Sequence, residues 1–302
     1  MFSKKRIIIG SLIILFITVI SIFALIPIEK SYETNAWMKE VDDNTLITNM
    51  SIPGTHDSGA THSIFDVAGK CQDLSIKTQL TIGVRFLDLR LQLVNNEFKI
   101  VHSFVDQKLK FTSVLKDICN FIKQNNSEFL IISIKEEAES KKSTKGFEEA
   151  LLQELNNYQD IISYDELPKT LKEARGKIYI LSRYNEATIG IKAYSGWQDS
   201  TSFLLRDIYV QDNYAVDNVE IKKQDIINTI NYSKNNDSVL VLNFTSCYLN
   251  NAFPPTYAGT PALEINPWLI EYLSESTHSL GIIIVDFISK EISEAIYKRN
   301  LV

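Results

Sequence analysis

Short apolar runs rich in β-branched residues alternate with amphipathic stretches along most of the chain. The apolar runs have the length and composition of buried strands, and the amphipathic stretches repeat apolar residues at helical intervals of three and four. The predicted strands are residues 50–53, 84–91, 99–102, 129–134, 178–181, 208–210, 239–244 and 281–287. The predicted helices are residues 111–123, 147–158, 167–174, 221–232, 261–274 and 292–298. This alternation predicts an α/β fold, either a parallel barrel or an open doubly wound sheet, and a strand count near eight favours a (β/α)8 TIM-type barrel.

Polar and charged residues stand at or just after the ends of these predicted strands. In a barrel of parallel strands the chemistry lies at the carboxyl ends of the strands. An ordinary buried strand has no use for ionised groups, so their recurrence at these ends predicts a polar pocket. The residues are His56, Asp57, Asp88, Arg90, His102, Lys135, Arg183, Asp212 and Asp286.

The N-terminal segment has the pattern of an export signal. Lys4, Lys5 and Arg6 precede an apolar run over residues 7–28. At ~1.5 Å per residue this run reaches across ~30 Å of hydrocarbon, and its basic flank predicts that the rest of the chain lies outside the cytoplasm. The nearest small-residue cleavage pattern lies only at residues 34–36, so residues 1–28 are interpreted as a membrane anchor or a long cleaved signal. Residues 29–36 are interpreted as a linker and residues 37–302 as one catalytic domain.

The net charge argues against two kinds of binding partner, and the cysteine content argues against disulfides and a zinc site. The chain has 302 residues and a formal net charge of -6, which argues against nucleic acid and against a strong electrostatic hold on anionic lipid. Contact with a bilayer would therefore depend on apolar insertion and on the active site. The three cysteines, Cys71, Cys119 and Cys247, are too scattered for a disulfide framework, and the lack of a Cys-x-x-Cys pair argues against a zinc site.

Two histidines among the strand-end residues suggest phosphoryl transfer. His56 follows a Pro-Gly turn, and His102 ends a predicted strand. One imidazole can take a proton from a nucleophilic hydroxyl, and the other can give a proton to the leaving oxygen. A buried aspartate can orient an imidazolium, and an arginine can neutralise phosphate oxygens where other enzymes use a metal. Asp88 and Arg90 are two positions apart in one strand and therefore point the same way.

The sequence Ser-Ile-Pro-Gly-Thr-His-Asp-Ser-Gly at residues 51–59 is highly specific. With Trp37 before it and Arg90 after it, this stretch resembles the phosphatidylinositol-specific phospholipase C family in its secreted bacterial branch. The resemblance covers nearly the whole chain after the N-terminal segment. It implies a distorted, incompletely closed (β/α)8 barrel.

The resemblance also implies roles for the catalytic candidates. His56 is expected to be the general base that deprotonates the inositol 2-hydroxyl, with Asp286 as its orienting carboxylate. His102, aided by Asp57, is expected to protonate the diacylglycerol oxygen. Arg90 falls where the bacterial enzymes hold an arginine against the phosphate. Calcium-dependent relatives have a metal there, so neither calcium nor another cofactor is expected.

Further positions match residues that bind the inositol hydroxyls in the family. The substrate-binding candidates are Lys135, Arg183, Asp212 and Tyr214, together with Asp88. Which inositol lipid is preferred, free phosphatidylinositol or a glycosylated anchor, stays open.

The sequence departs from the family pattern at two places. Ser103 follows His102 where glycine is usual, so the loop around the acid is expected to shift or the pocket to narrow. The membrane-facing tryptophans of the family are not obviously kept, and Phe253 and Tyr257 are expected to enter the lipid interface instead.

The expected reaction is intramolecular attack of the inositol 2-hydroxyl on phosphorus, which gives a cyclic 1,2-phosphate and releases diacylglycerol. One alternative is a metal-dependent glycerophosphodiester phosphodiesterase, but Arg90 puts a cation where a metal ligand would stand. Another is a membrane-anchored module that binds inositol phospholipid without turnover, which the Ser103 departure motivates. The chain is expected to be a monomer with an inositol phospholipid as substrate and no obligate protein partner.

Overall fold

The computed structural model describes residues 33–62, 69–250, 258–275 and 278–301. Its residues from Thr34 onward form one compact unit. The strands are β1 (Ser51–Thr55), β2 (Phe86–Val94), β3 (Glu97–His102), β4 (Val105–Lys110), β5 (Leu130–Glu136), β6 (Ile162–Ser163), β7 (Ile178–Arg183), β8 (Ile191–Lys192), β9 (Ser202–Leu205), β10 (Ile208–Gln211), β11 (Ala215–Val216), β12 (Leu240–Phe244), β13 (Tyr248–Leu249) and β14 (Gly281–Val285). The α-helices are α1 (Ile76–Thr81), α2 (Phe111–Gln124), α3 (Phe147–Leu155), α4 (Leu171–Ala174), α5 (Val219–Lys234), α6 (Gly259–Ser274) and α7 (Lys290–Tyr297). Single 3-10 turns or short 3-10 helices are Thr34–Glu40, Ile47–Asn49, Asn156–Tyr158, Tyr194–Gly196 and Lys298–Leu301.

The main sheet is an open barrel of parallel strands. Its parallel neighbours follow the order β6-β7-β5-β2-β1-β14-β12-β10. β9 continues the sheet antiparallel to β10, and β8 pairs with the carboxyl end of β7. Among the described residues no strand pairing joins the β6–β8 edge to β9 or β10, so the barrel is incompletely closed. The predicted distorted TIM-type barrel is confirmed.

One predicted barrel strand has a different place in the structure. The sequence pattern treats residues 99–102 as part of the strand–helix alternation, but β3 turns back antiparallel on β2 and forms a hairpin with β4. An apolar run predicts a strand without giving its direction, so the pattern could not reveal this reversal. The eighth parallel strand is β6, whose two residues are too short to produce a detectable pattern.

The barrel strands divide their side chains between two apolar cores with a period of two. In β2, Leu87 and Leu89 join the core between the sheet and the helices, whereas Phe86 joins a second core, the inner core. Asp88 and Arg90 share the parity of Phe86 and therefore continue the inner face toward the carboxyl end of the strand. The same alternation in β5 and β7 brings further polar side chains inward at that end.

Several helix starts are fixed by side-chain caps. Ser75, Asn218 and Ser289 each accept a hydrogen bond from the backbone of the first helical turn that follows, in α1, α5 and α7. Thr170 and Glu173 form a reciprocal capping box that starts α4. This cap explains why the helix predicted over residues 167–174 is confined to its second half.

Three sequence predictions concern residues outside the described ranges. The apolar segment over residues 7–28 is one, and Phe253 and Tyr257 are the others. Of the helices in the described ranges, none combines the length and apolar character needed to cross a bilayer.

Candidate active site

A cavity of about 780 Å³ lies at the carboxyl ends of the barrel strands. Its wall combines imidazole, guanidinium, ammonium and carboxylate groups with a few aromatic rings. The described residues along it include His56, Cys71, Arg90, His102, Lys135, Glu137, Arg183, Trp197, Asp212, Tyr214 and Asp286. Of the described residues selected from the sequence, Asp57 and Asp88 lie behind this wall as fully buried side chains.

His56 and Asp286 form one histidine–carboxylate pair. His56 follows β1 and Asp286 follows β14, and these strands are paired neighbours. His56 Nδ1 and Asp286 Oδ1 are 2.7 Å apart, and only 3% of the Asp286 side chain is exposed. On the other side of the ring, Arg90 Nη2 lies 2.7 Å from His56 Nε2. Because a guanidinium can only donate, Nε2 accepts this bond and Nδ1 carries the proton donated to Asp286.

The surroundings of His56 raise its basicity. Burial lowers the pKa of the imidazole, but the Asp286 carboxylate raises it against the opposing charge of Arg90, and the net pKa lies above the usual value of 6.5. A ring with a raised pKa is a stronger base, and it needs a higher pH to remain unprotonated.

His102 and Asp57 form the second pair. His102 reaches the cavity from the β3–β4 hairpin, and its Nδ1 forms a short hydrogen bond with Asp57 Oδ2. The Asp57 side chain is fully buried, whereas 28% of the His102 side chain is exposed. Asp57 adopts a left-handed φ of 44°, so the chain turns sharply after His56. His56 and Asp57 are adjacent in the chain, yet they belong to two different histidine–carboxylate pairs.

Arg90 connects the two pairs. Its Nε lies 3.2 Å from Asp88 Oδ2 and 3.5 Å from Asp57 Oδ2. Its Nη1 lies 3.4 Å from Glu137 Oε1. Burial alone lowers the pKa of Arg90, but these carboxylates raise it well above its ordinary value. A permanent positive charge therefore stands between His56 and the carboxylates.

Two of the three acidic neighbours of Arg90, Asp88 and Glu137, stay ionised. Burial raises the pKa of Asp88, but Arg90 and Arg183 bring it far below its ordinary range. Burial likewise raises the pKa of Glu137, and Arg90 with Lys135 lowers it to about 2. Asp88 was selected from the sequence as a substrate-binding candidate, but its side chain contacts the arginines behind the wall of the cavity. Its geometry is that of a group that positions Arg90 and Arg183.

Lys135 and Arg183 place two more cations at the cavity. Lys135 Nζ is 2.6 Å from Glu137 Oε2. Arg183 Nη1 is 3.3 Å from Asp88 Oδ1. Both residues lie at the carboxyl ends of neighbouring strands, where Lys135 and Arg183 are direct register partners.

A second group of side chains comes from the end of β7, the connection before β9 and the residues after β10. Arg183 Cζ lies 3.6 Å from the centre of a Trp197 ring, and Trp197 Nε1 donates to Asp212 Oδ2 at 3.1 Å. The Tyr214 hydroxyl donates a short hydrogen bond to Asp199 Oδ1. This bond, together with burial, raises the pKa of Tyr214 to about 12. All four residues matched to inositol binding line the cavity, and two of them, Arg183 and Asp212, contact Trp197.

Glu137, Trp197 and Cys71 are among the cavity residues that the sequence reasoning missed. Glu137 stands two positions after Lys135, so strand parity could have placed both on the inner face. Trp197 lies in the connection before β9 and Cys71 lies before α1, and neither belongs to a periodic pattern.

The backbone conformation at Ser103 explains why glycine is expected at this position. Ser103 and Phe104 form the two-residue turn between β3 and β4, with His102 paired to Val105. Ser103 has a φ of 52°, the sign that a type II′ turn requires at its first central position and that favours glycine. The Ser103 N–H donates to Glu137 Oε1 at 3.1 Å, which anchors the turn.

Cys71 lies close to both histidine–carboxylate pairs. Two groups in the described part of the chain have ligand atoms within 4.8 Å of one another, as a metal site would need. One group is His56, Cys71 and Asp286, and the other is Asp57, Cys71 and His102. The expectation that no metal cofactor is required stays a prediction.

Fold and site together define an α/β-barrel protein with two histidine–carboxylate pairs at the carboxyl ends of its strands. The family model described as phosphatidylinositol-specific phospholipase C, X domain, matches residues 50–184. A 1-phosphatidylinositol phosphodiesterase of Staphylococcus aureus is 30% identical over 83% of this chain and 87% of its own length. The enzyme of the same name from Listeria monocytogenes is 28% identical over 91% of this chain and 87% of its own length.

Solved structures agree with this relationship. A mutant of the phosphatidylinositol-specific phospholipase C from Staphylococcus aureus superposes with a TM-score of 0.76 at 26% identity, covering 87% of this chain and 98% of that one. The Listeria monocytogenes phospholipase C has the same fold, with a TM-score of 0.73 over 89% of this chain and 99% of that one. The chain belongs to the phosphatidylinositol-specific phospholipase C family, as the resemblance implied.

Proposed function

We propose that this chain is a phosphatidylinositol-specific phospholipase C that uses no metal. It cleaves phosphatidylinositol to diacylglycerol and inositol 1,2-cyclic phosphate. The observation that carries the proposal is the pair of imidazole–carboxylate contacts on either side of one partly buried guanidinium, that of Arg90. Its relatives are named 1-phosphatidylinositol phosphodiesterases, which fits the same substrate class.

In the first step His56 acts as the general base. Its Nε2 takes the proton of the inositol 2-hydroxyl while Nδ1 stays bonded to Asp286, which stabilises the imidazolium that forms. The deprotonated oxygen attacks the adjacent phosphorus of the same molecule, so no second reactant has to be brought in. Arg90, which donates to Nε2 when no substrate is bound, turns its N–H groups to the phosphate oxygens.

His102 acts as the general acid. Its Nδ1 is held by Asp57, so its Nε2 is the atom that protonates the diacylglycerol oxygen as the phosphorus–oxygen bond breaks. The 28% exposure of this ring suits a group that must meet the glycerol side of the substrate at the cavity mouth. Water can then open the cyclic phosphate slowly with the two histidines in exchanged roles.

The inositol ring would bind beside the acid–base centre. Lys135, Arg183 and Asp212 offer donors and acceptors suited to vicinal hydroxyls. Tyr214 offers an aromatic face and a hydroxyl at the same edge. Asp88 is assigned a positioning role, because it is fully buried between two arginines.

The substrate requires the enzyme to work at a membrane surface. Phe104 is 83% exposed at the tip of the hairpin that carries His102, and it is suited to enter the lipid interface beside the acid. Phe253 and Tyr257 remain proposed as further interface residues. The basic and apolar N-terminal segment supports an extracytoplasmic location, either anchored through residues 7–28 or secreted after cleavage.

The test is a product analysis on phosphatidylinositol vesicles. The full chain is expected to release diacylglycerol and the cyclic phosphate, which phosphorus NMR separates from the open monophosphate. His56→Ala and His102→Ala are each expected to lose at least about 10²-fold in rate, the lower range for one acid–base group. His278→Ala is the matched control because this histidine is exposed and outside the cavity. Full activity in either catalytic variant, or binding of lipid without any cleavage, would refute the proposal.

A further inference from the structure

Three cysteines are buried in the described structure, and one of them differs in its surroundings. Cys71 Sγ lies 3.7 Å from His102 Nδ1. Its ligand atom, one carboxylate oxygen of Asp57 and one ring nitrogen of His102 all lie within 4.8 Å of one another. Cys119 lies within helix α2, and Cys247 lines the cavity, but neither belongs to such a group in the described residues.

The carboxylate in this group has unused binding capacity. Asp57 is fully buried and gives Oδ2 to His102, yet its Oδ1 has no hydrogen-bond partner in the described part of the chain. A buried carboxylate oxygen without a partner is costly, and a cation is one way to satisfy it. Asp88 and Asp286 lie nearby as further negative charges in the same buried region.

The donor atoms determine which cation fits. Thiolate sulfur, imidazole nitrogen and carboxylate oxygen together are the ligand set of zinc, with a fourth position left for water. Calcium and magnesium require mostly oxygen ligands and are a poor match for a site with sulfur and nitrogen. The absence of a Cys-x-x-Cys pair does not count against such a site, because the fold brings together residues that lie far apart in the sequence.

We propose that Asp57, Cys71 and His102 form an inhibitory binding site for a zinc-like divalent cation. The cation binds His102 at Nδ1, where the proton of the neutral ring shifts to Nε2, and it replaces the thiol proton of Cys71, so one proton is released and no redox change occurs. His102 then coordinates the metal through Nδ1 and can no longer become the protonated acid that the reaction needs. The cation is an inhibitor of this enzyme, and catalysis itself needs none.

The neighbouring group of His56, Cys71 and Asp286 is a weaker candidate. Arg90 lies near both groups, but its Nη2 is 2.7 Å from His56 Nε2 and occupies a ring nitrogen of the first, whereas its Nε is 3.5 Å from Asp57 Oδ2 and leaves His102 free of it. His102 is also more exposed than His56, with 28% against 13% of the side chain accessible. That exposure gives the ion an entry path and room for the water ligand.

Oxidation of Cys71 is not the favoured chemistry. Burial, with the charges of Asp286 and Asp57, raises the pKa of the thiol well above its ordinary value. Because of this raised pKa, little of the thiol is ionised at neutral pH. Peroxides react with the thiolate, so oxidation of Cys71 should be slow. A metal ion provides its own driving force for removing the proton, and its affinity rises with pH as a result.

Direct binding is measured with cobalt(II) as a spectroscopic probe on the full chain, by the thiolate-to-cobalt absorption in the near ultraviolet, with zinc as the competitor. We expect a band that zinc abolishes, that strengthens as pH rises, and that is lost in Cys71→Ser, in Cys71→Ala and in His102→Ala. Cys247→Ser is the matched control and should keep the band, as should His56→Ala. Circular dichroism checks that each variant is folded. No thiolate band, an unchanged band in folded Cys71 variants, or loss in His56→Ala with retention in His102→Ala would overturn the assignment.

Inhibition is measured separately on phosphatidylinositol vesicles, as a fraction of each variant's own metal-free rate. Zinc should inhibit the full chain and Cys247→Ser equally, and Cys71→Ser should raise the inhibition constant at least about 10-fold, which is the scale of losing one metal contact. Equal inhibition of Cys71→Ser and the full chain would overturn the inhibitory role. This part rests on the proposed function of His102, whereas the cobalt band does not, so a failed site and a failed activity give different results.

Discussion

Asp286→Asn is the substitution that isolates the orientation and charge of the His56 partner. The amide has nearly the same size as the carboxylate, so packing around the end of β14 should be preserved. It removes the negative charge that lies 2.7 Å from His56 Nδ1, and it can present an N–H where Nδ1 now finds only an acceptor. The ring can then turn its proton to Nε2, which leaves the wrong tautomer for a base.

The size of the effect follows from the geometry. The carboxylate is only 3% exposed, so solvent screening is weak, and unit charges about 4 Å apart at an effective dielectric near 20 interact by about 4 kcal/mol. That value corresponds to about 10³-fold in rate. The same change in serine-protease triads costs about 10⁴-fold. A loss of about 10³–10⁴-fold in kcat is therefore expected for Asp286→Asn.

The pH profile separates this role from a merely structural one. The base must be unprotonated, so kcat/KM falls as pH drops below the pKa of His56 in the free enzyme. Asp286 raises that pKa, whereas burial and Arg90 lower it. Without the Asp286 carboxylate, burial and Arg90 should lower the pKa of His56. The acidic limb of the profile should therefore move to lower pH.

Initial rates on a water-soluble inositol phosphodiester across the pH range provide the assay, because interfacial binding then plays no part. Thermal unfolding confirms that the variant is intact. A loss smaller than about 10-fold, or a large loss with an acidic limb that moves to higher pH, would refute the assigned role of Asp286.

Three further predictions concern Arg90, Lys222 and Phe104. Arg90→Lys keeps a charge but loses the forked donors that reach four partners, so kcat should fall about 10²–10³-fold without rescue by calcium or magnesium; rescue by either metal would contradict the assignment. Lys222 is fully buried with Nζ 2.9 Å from Gln211 Oε1 and 2.7 Å from the Asn213 carbonyl, and burial lowers its pKa to about 8. Between pH 8 and the ordinary lysine pKa of 10.5 the unfolded chain therefore binds this proton more tightly than the folded chain does. Over this range the free energy of unfolding in urea should rise with pH by on the order of 3 kcal/mol relative to that of Lys222→Met. The same pH dependence of unfolding in both proteins would contradict the prediction. Phe104→Ser should lower binding to phosphatidylinositol vesicles roughly 10-fold in a sedimentation assay while sparing turnover of a soluble substrate, and equal losses on both substrates would contradict an interfacial role.

Much of the barrel could be predicted because its strands obey simple periodicities. β14 is a continuous apolar run buried on both faces, and β2 alternates between two cores, so both were visible in the sequence. The reversal of β3 and the two-residue β6 were not visible, because a hydrophobic pattern gives neither strand direction nor the pairing of very short strands. The open edge of the barrel follows from pairings that no local pattern encodes.

The candidate site divides in the same way. His56 and Asp57 were recognisable from one dense motif, and Asp286 from a carboxylate that ends an apolar strand. The proximity of Cys71 to both histidines depends on how residues 69–71 meet the cavity wall in the fold, and the sequence contains no signal for that. Trp197 is similar, since its contact with Arg183 joins a connection and a strand end that are not adjacent in the chain.

Product formation without metal is the most direct measurement of the proposed chemistry. The full chain is treated with excess chelator, mixed with phosphatidylinositol vesicles and followed by phosphorus NMR. Cleavage by His56, His102 and Arg90 alone predicts that inositol 1,2-cyclic phosphate appears first, at a rate that the chelator does not lower and added calcium does not raise. Absence of the cyclic product, or activity that returns only with calcium or magnesium, would contradict a metal-independent phospholipase C.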